Sequence, residues 1–283
     1  MSNPVKQDRT SRNTATLADV QAFWDANPLF VGESVFEPGS KAFFDEHHTL
    51  YRKDVFAGRI DDWFYPADKG AKILDVGCGI GLWLTELGQR GYADISAIDL
   101  SPRSVELARQ RCALYGLNAN ISVGNAERLD FSSNMFDHVN CYGVVHHTPS
   151  PETAVREIFR VLKPGGTASI AIYYKNFVLR NWQLFSIPLR PFSIGLHGRG
   201  REGMNRSSDA DNIIRLYDGK DNPIGLGYTR SEARTLVAPF IVRKEYLHFF
   251  PARPLRLKPS GPLHRLADRL LPFMIGLSLE KPA

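Results

Sequence analysis

Ile73-Leu74-Asp75-Val76-Gly77-Cys78-Gly79-Ile80-Gly81 is the stretch on which the reading of this chain turns. A short apolar strand from Ala71 to Val76 runs into a glycine-rich turn, and Leu82 to Gln89 then takes up helical spacing. Glycine suits such a turn because it tolerates positive φ and lets a ligand approach bare backbone. Alone, the turn fits a nicotinamide-dinucleotide site or a ligand-free tight connection equally well. The next strand, Ala93 to Ile98, ends in Asp99, whose carboxylate can accept from both ribose hydroxyls of an adenosine, a feature shared with dehydrogenases. The glycine spacing separates the cases. Gly77, Gly79 and Gly81 alternate, whereas the diphosphate fingerprint sets its last glycine one residue further on, so no diphosphate is expected.

Working outward, Ser101 and Pro102 supply the cap and first position of a helix running to about Tyr115. Ile121 to Val123 and Met135 to Cys141 read as strands. Ser150-Pro151 opens a helix that Lys163-Pro164-Gly165-Gly166 should stop, and Thr167 to Tyr174 reads as a long strand. This alternation predicts a parallel sheet with helices on both faces. Thr229-Arg230-Ser231-Glu232 has capping-box spacing, and strands at 240–249 and 273–280 would close the sheet. Before the sheet, helices are expected at Leu17 to Ala26 and at Lys53 to Phe64, with Phe43 to Arg52 between them as a candidate lid. The layout expected is a disordered arm (1–16), an N-terminal helical lid (17–70), a core (71–174), an inserted cap (175–228) and the end of the sheet (229–283).

The 283 residues suffice for one sizeable core, and the composition, 43% hydrophobic and 23% charged, is that of a globular protein. Three cysteines, Cys78, Cys112 and Cys141, without a close pair argue against a disulfide framework or a zinc knuckle. With a polar start and no apolar run near the ~20 residues of a membrane span, a cytoplasmic location is expected. The net charge of +5 is too diffuse for a nucleic-acid site, and no nucleic-acid partner is expected. Arg253, Arg256, Lys258, Arg265 and Arg269 are the exception, a basic C-terminal segment that could make weak membrane-surface contact.

The chain resembles the class I S-adenosylmethionine-dependent methyltransferases, in particular the branch acting on quinones and other small molecules. The resemblance covers about Ala71 to Tyr174 and includes Asp75 to Gly81, Asp99-Leu100-Ser101, Gly124-Asn125-Ala126-Glu127, Phe136-Asp137, Gly143-Val144-Val145-His146-His147 and Leu162-Lys163-Pro164-Gly165-Gly166. It implies an α/β Rossmann-like fold, a mostly parallel seven-stranded sheet flanked by helices. It also implies S-adenosyl-L-methionine as cofactor and an acceptor that is small or lipid-like, with no metal. The turn Gly77, Cys78, Gly79 and Gly81 would pack on the methionine part, supported by Asp75, and Asp99 with Leu100 would hold the ribose. Asn125 stands where the family commonly has an aspartate for the adenine amino group; its carbonyl can accept the same bond, and the Ala126 amide can serve the ring. Cys141 and Tyr142 end the fourth strand at the ligand crevice, and Tyr51 or Arg52 could meet the cofactor carboxylate from the lid.

A sulfonium methyl is already activated, so positioning is the main demand, and a hydroxyl acceptor would want a base. His147 is the first candidate and His146 the second. Substrate choice should lie in the lid and cap, where Phe177, Trp182, Phe185, Phe192, Tyr217 and Tyr228 could line an aromatic pocket and Arg199, Arg201, Arg206 and Arg215 could meet an acidic acceptor. Competing readings are a nicotinamide oxidoreductase, a non-catalytic methyltransferase-like binding subunit, and an RNA or protein methyltransferase.

Overall fold

Seven strands pair into one sheet: β1 (Ile73–Val76), β2 (Ile95–Asp99), β3 (Asn120–Val123), β4 (Phe136–Tyr142), β5 (Leu162–Tyr173), β6 (Ile241–His248) and β7 (Met274–Glu280). The structure, a computed structural model, describes residues 15–189, 191, 199–207, 209–252 and 261–283. The expected arm up to Asn13 and Thr14, together with Phe192, Arg253, Arg256 and Lys258, therefore lies outside the described residues. Strand order is β3-β2-β1-β4-β5-β7-β6, and only β7 runs antiparallel to its neighbours. The order reverses between β1 and β4, and open α/β sheets form their ligand crevice at the carboxyl ends around such a point.

Strand β1 is buried throughout because both faces are covered. Ile73 joins one core cluster with Leu87, Val105 and Ala108, while Leu74 and Val76 join a second with Val139, Ile158 and Leu277. The helices flanking β1 start where the residue types dictate. Gly81 at φ 81° opens α3 (Leu82–Gln89), and Ser101 Oγ accepts from Ser104 N at 3.0 Å before α4 (Pro102–Tyr115). Pro151 begins α5 (Pro151–Val161).

At the N-terminus, α1 (Leu17–Ala26) is closed by a reciprocal Thr16/Asp19 capping box. The stretch Phe43 to Arg52 forms the body of α2 (Lys41–Phe56), capped by Ser40. The helix expected over 53–64 is thus corrected: Ala57 and Gly58 adopt φ of 49° and 88°, which ends α2, and only Asp62–Phe64 turns again as a 3-10 segment. Helix α5 ends at Val161, ahead of Lys163 to Gly166 as expected, but the strand starts earlier than Thr167: Leu162 to Gly166 already belongs to β5, with a register jump between the pairs Phe136–Leu162 and His138–Thr167.

The region after β5 carries α6 (Phe177–Arg180), α7 (Trp182–Leu189) and α8 (Ala210–Leu216). The Thr229/Glu232 box starts α9 (Arg230–Leu236), and α10 (Gly261–Leu270) crosses from β6 to β7. No helix among the described residues is long and apolar enough to cross a membrane.

Candidate functional site

The loops after β1 to β4 and the end of β5 open into a cavity of about 210 Å³. Its floor is the glycine turn, where Gly77 and Gly79 have φ of 72° and 51°. A Cβ on Gly77 would lie 2.3 Å from Val144 Cγ2, so only glycine fits beneath that side chain. The turn is fixed by three backbone donors. Gly77 N and Cys78 N reach Ile98 O at 2.8 and 2.9 Å, and Gly79 N donates to Asp99 Oδ2 at 2.8 Å. Asp99 Oδ1 accepts from Ser101 N at 2.9 Å. Burial pushes the Asp99 carboxyl up, against the pull of those N–H donors. Leu100, Asn125 and Ala126 continue this wall, and Asn125 Oδ1 already accepts from Glu127 N at 2.9 Å.

Several of the residues singled out in the sequence do not line the cavity. Asp75 lies beneath the turn, where Oδ1 accepts from Asn140 Nδ2 at 2.6 Å and Oδ2 is buried without a partner. Burial pushes its carboxyl to about 7, with the Asn140 bond opposing. Cys78 and Cys141 are buried thiols raised by desolvation, and Gly81 serves as the helix cap. Tyr142 lines the cavity but turns its hydroxyl to His248 Nε2.

Helix α1 lies over this mouth. Gln21 Nε2 donates to Leu100 O at 2.9 Å, and Asp25 Oδ1 accepts from Ser101 Oγ and Arg103 N, both at 2.9 Å. Leu17, Val20 and Trp24 thereby face inward. Helix α2 brings Tyr51 and His47 to the wall; Arg111 Nη1 donates to His47 Nδ1 at 3.2 Å, which places the ring proton on Nε2. Arg52 is a correction. It turns the other way, to Glu86 Oε1 at 3.1 Å, where His48 Nε2 at 2.6 Å and the Tyr65 hydroxyl at 3.2 Å converge on the same carboxylate.

His147 also lines the cavity. Its Nδ1 sits 2.7 Å from Ile224 O, so that nitrogen carries a proton, and Nε2 lies 3.5 Å from Asp218 Oδ2. The Tyr173 hydroxyl donates between both Asp218 oxygens at 2.9 and 3.0 Å. Burial raises the Asp218 carboxyl, while His147, Tyr173, Arg199 and Arg201 draw it back. The Trp24 ring meets the His147 ring edge-on at 5.1 Å. His146 has a different setting: fully buried, both ring nitrogens without partners, its ring tilted against Tyr173 at 4.1 Å and held well below the ordinary histidine range by burial. It stays neutral and off the cavity wall.

The segment 175–228 contributes less aromatic lining than its composition suggests. Among the described aromatics that this segment was expected to supply, only Tyr217 reaches the cavity; Trp182 Nε1 donates to Ser207 O at 2.7 Å, Tyr228 packs in the second core and Phe177 faces outward. Arg199 and Arg201 do line it, as latches. Arg199 Nη2 donates to Pro28 O and Val31 O at 2.7 and 3.0 Å, and Arg201 Nη2 pairs with Glu33 at 3.2 Å, tying their loop to the segment after α1. Arg215 binds the Lys220 and Asn222 carbonyls, and Arg206 is exposed. Sequence reasoning missed Asp218, Glu33 and Trp24. Nothing local marks a lone acid in an insertion as facing a histidine on another loop.

Residues 74–170 match a family described as a methyltransferase domain. The chain is 36% identical over 137 residues, 44% of its length and 40% of the relative's, to 2-methyl-6-phytyl-1,4-hydroquinone methyltransferase 1 of Oryza sativa subsp. japonica. It is 34% identical over 132 residues, 46% of its length and 55% of the relative's, to a ubiquinone biosynthesis O-methyltransferase of Azoarcus sp.. The chain thus spans about half the length of the curated relatives it matches. Among solved structures, a methyltransferase from Methanosarcina mazei superposes with TM-score 0.53 at 21% identity over 77% of this chain and 98% of that one. The 4+2 cyclase SpnF superposes with TM-score 0.57 at 17% identity over 96% and 98%. These likenesses establish the Rossmann-like methyltransferase fold.

Proposed function

We propose that this chain, whose residues 74–170 match a methyltransferase-domain family, is a class I S-adenosylmethionine-dependent enzyme that methylates a small or lipid-like acceptor presenting a phenol- or quinol-type hydroxyl. The observation that carries the reading is that the glycine turn, Asp99 and His147 all line one cavity. The residues present fit the cofactor, since side-chain-free backbone at Gly77 and Gly79 and a carboxylate held by its own turn suit a nucleoside without a diphosphate. Bound there, S-adenosylmethionine supplies a methyl group already activated on sulfur.

The chain's own residues would then divide the work. Asp99 accepts from the ribose hydroxyls, Asn125 and the Ala126 amide meet the adenine, and the turn at Gly77 and Gly79 packs on the methionine part. Trp24, Tyr51, Tyr173 and Tyr217 flank the acceptor and exclude water. The acceptor oxygen is held in line with the methyl group while its proton passes to His147 Nε2. Asp218 stabilises the imidazolium so formed, and Ile224 O fixes the tautomer. The hydroquinone named for the rice relative and the O-methylation named for the Azoarcus one support this acceptor class.

The test is incubation with isotopically labelled S-adenosylmethionine and a panel of quinols and catechols, with product identified by mass spectrometry. A labelled methyl ether that forms with the wild type, and far more slowly with His147→Gln, is the expected result. Saturable cofactor binding without transfer to any of these acceptors or to a metabolite extract would assign the chain to a non-catalytic binding role.

A further inference from the structure

Helix α10 is set into the protein with its polar face inward. Its buried side chains are His264 and Asp268, and Asp268 Oδ1 accepts from Phe250 N at 2.7 Å. On the opposite side Leu263, Leu266 and Leu270 are 62%, 52% and 66% exposed. Their i, i+3, i+7 spacing makes one stripe, so the helix is amphipathic in the sense contrary to core packing. Arg265 and Arg269 are exposed alongside. Where α10 ends, Asn176 Nδ2 donates to Pro272 O at 3.0 Å and caps α6, and Phe177, Leu184 and Ile187 of α6 and α7 are exposed as well. From Phe177 to Leu189 there is no carboxylate, and the only one in α10 is the buried Asp268.

We propose that α10 is a membrane-docking element, which lays Leu263, Leu266 and Leu270 into the surface of an anionic bilayer with Arg265 and Arg269 at the headgroups. Exposed leucines flanked by arginines are the composition of a helix that lies in an interface, and helices whose own residues include arginine and no exposed carboxylate complement anionic lipid. A second copy of the chain is a poorer occupant, because a two-fold contact through this face sets its uncompensated arginines near their own counterparts. The inference stands whether or not the chain transfers methyl groups.

Co-sedimentation of the whole chain with phosphatidylcholine vesicles, with and without phosphatidylglycerol, tests it. The wild type should bind the anionic vesicles and release as salt rises. Leu263→Gln/Leu266→Gln/Leu270→Gln should weaken binding roughly tenfold or more, and Arg265→Gln/Arg269→Gln should abolish the preference for anionic lipid. Both sets of side chains are exposed, and unchanged circular dichroism and thermal unfolding of the variants verify the fold. The proposal is overturned if the wild type ignores anionic vesicles, if the leucine variant binds as the wild type does, or if ultracentrifugation shows a dimer that the leucine changes dissociate.

Discussion

Replacing Gly77 by alanine isolates what the turn contributes. The backbone there has φ 72°, which disfavours any residue with a Cβ by about 1 kcal/mol. The added methyl would also stand 2.3 Å from Val144 Cγ2 and 2.8 Å from Cγ1, so the valine or the turn must move, at a further ~1–3 kcal/mol. Gly91 is the matched control: its φ is 87° but nothing lies within 4 Å of its Cβ position, which leaves only the first cost. Urea denaturation should therefore place Gly77→Ala below the wild type by ~2–4 kcal/mol and Gly91→Ala by only ~1 kcal/mol. Because the displaced turn is the proposed cofactor floor, calorimetric titration with S-adenosylhomocysteine should show at least a tenfold loss for Gly77→Ala, each factor of ten being about 1.4 kcal/mol, and none for Gly91→Ala. Equal stability of the two variants would refute the steric argument, and full product affinity in Gly77→Ala would remove the turn from the cofactor site.

Asp99→Asn keeps the shape but removes the charge that accepts from ribose, so titration should show affinity for S-adenosylhomocysteine falling by ~1.5–3 kcal/mol with circular dichroism unchanged. Asp218→Asn should lower kcat more than it raises KM with a phenolic acceptor, and the loss should shrink with acceptors whose hydroxyl is more acidic, since a base then matters less. Glu86→Gln breaks the clasp of Arg52, His48 and Tyr65 and should cost ~1–3 kcal/mol in urea denaturation, while Arg52→Ala leaves product affinity near wild type; selective loss of affinity there would return Arg52 to the cofactor. Asp75, raised by burial from 3.8 to about 7, keeps its proton in the folded chain where the unfolded chain has lost it. Its contribution to stability therefore declines as pH rises from about 4 to about 7, and Asp75→Asn should gain on the wild type across that window in pH-dependent denaturation.

Much of this was legible because the signals were local. The strand-turn-helix at Ile73 to Leu82, the Ser101-Pro102 start and the Thr229/Glu232 box are each decided by residues within a few positions of one another. The end of α2 was misplaced because Phe56, Ile60, Trp63 and Phe64 keep helical spacing across Ala57-Gly58, where left-handed backbone breaks the helix without breaking the apolar pattern. Tyr51 and Arg52 were inseparable as neighbours in sequence, yet successive residues on a helix point ~100° apart, so one faces the cavity and the other Glu86. Asp218 and α10 escaped for a different reason. The first acquires meaning only from Tyr173 and His147 on other elements, and the second inverts the polarity rule by which a helix is usually oriented.

The cavity takes its walls from Leu17 at one extreme of the described chain to Met274 near the other, with Arg199 fastened to carbonyls at Pro28 and Val31. Whatever occupies it is therefore shared by segments that have no covalent reason to stay together. Occupancy couples to the integrity of the entire assembly, so a ligand at a hundred times its dissociation constant adds ~2.7 kcal/mol to the free energy of unfolding. Thermal shift with candidate acceptors thus becomes a screen for the unknown substrate that needs no turnover at all.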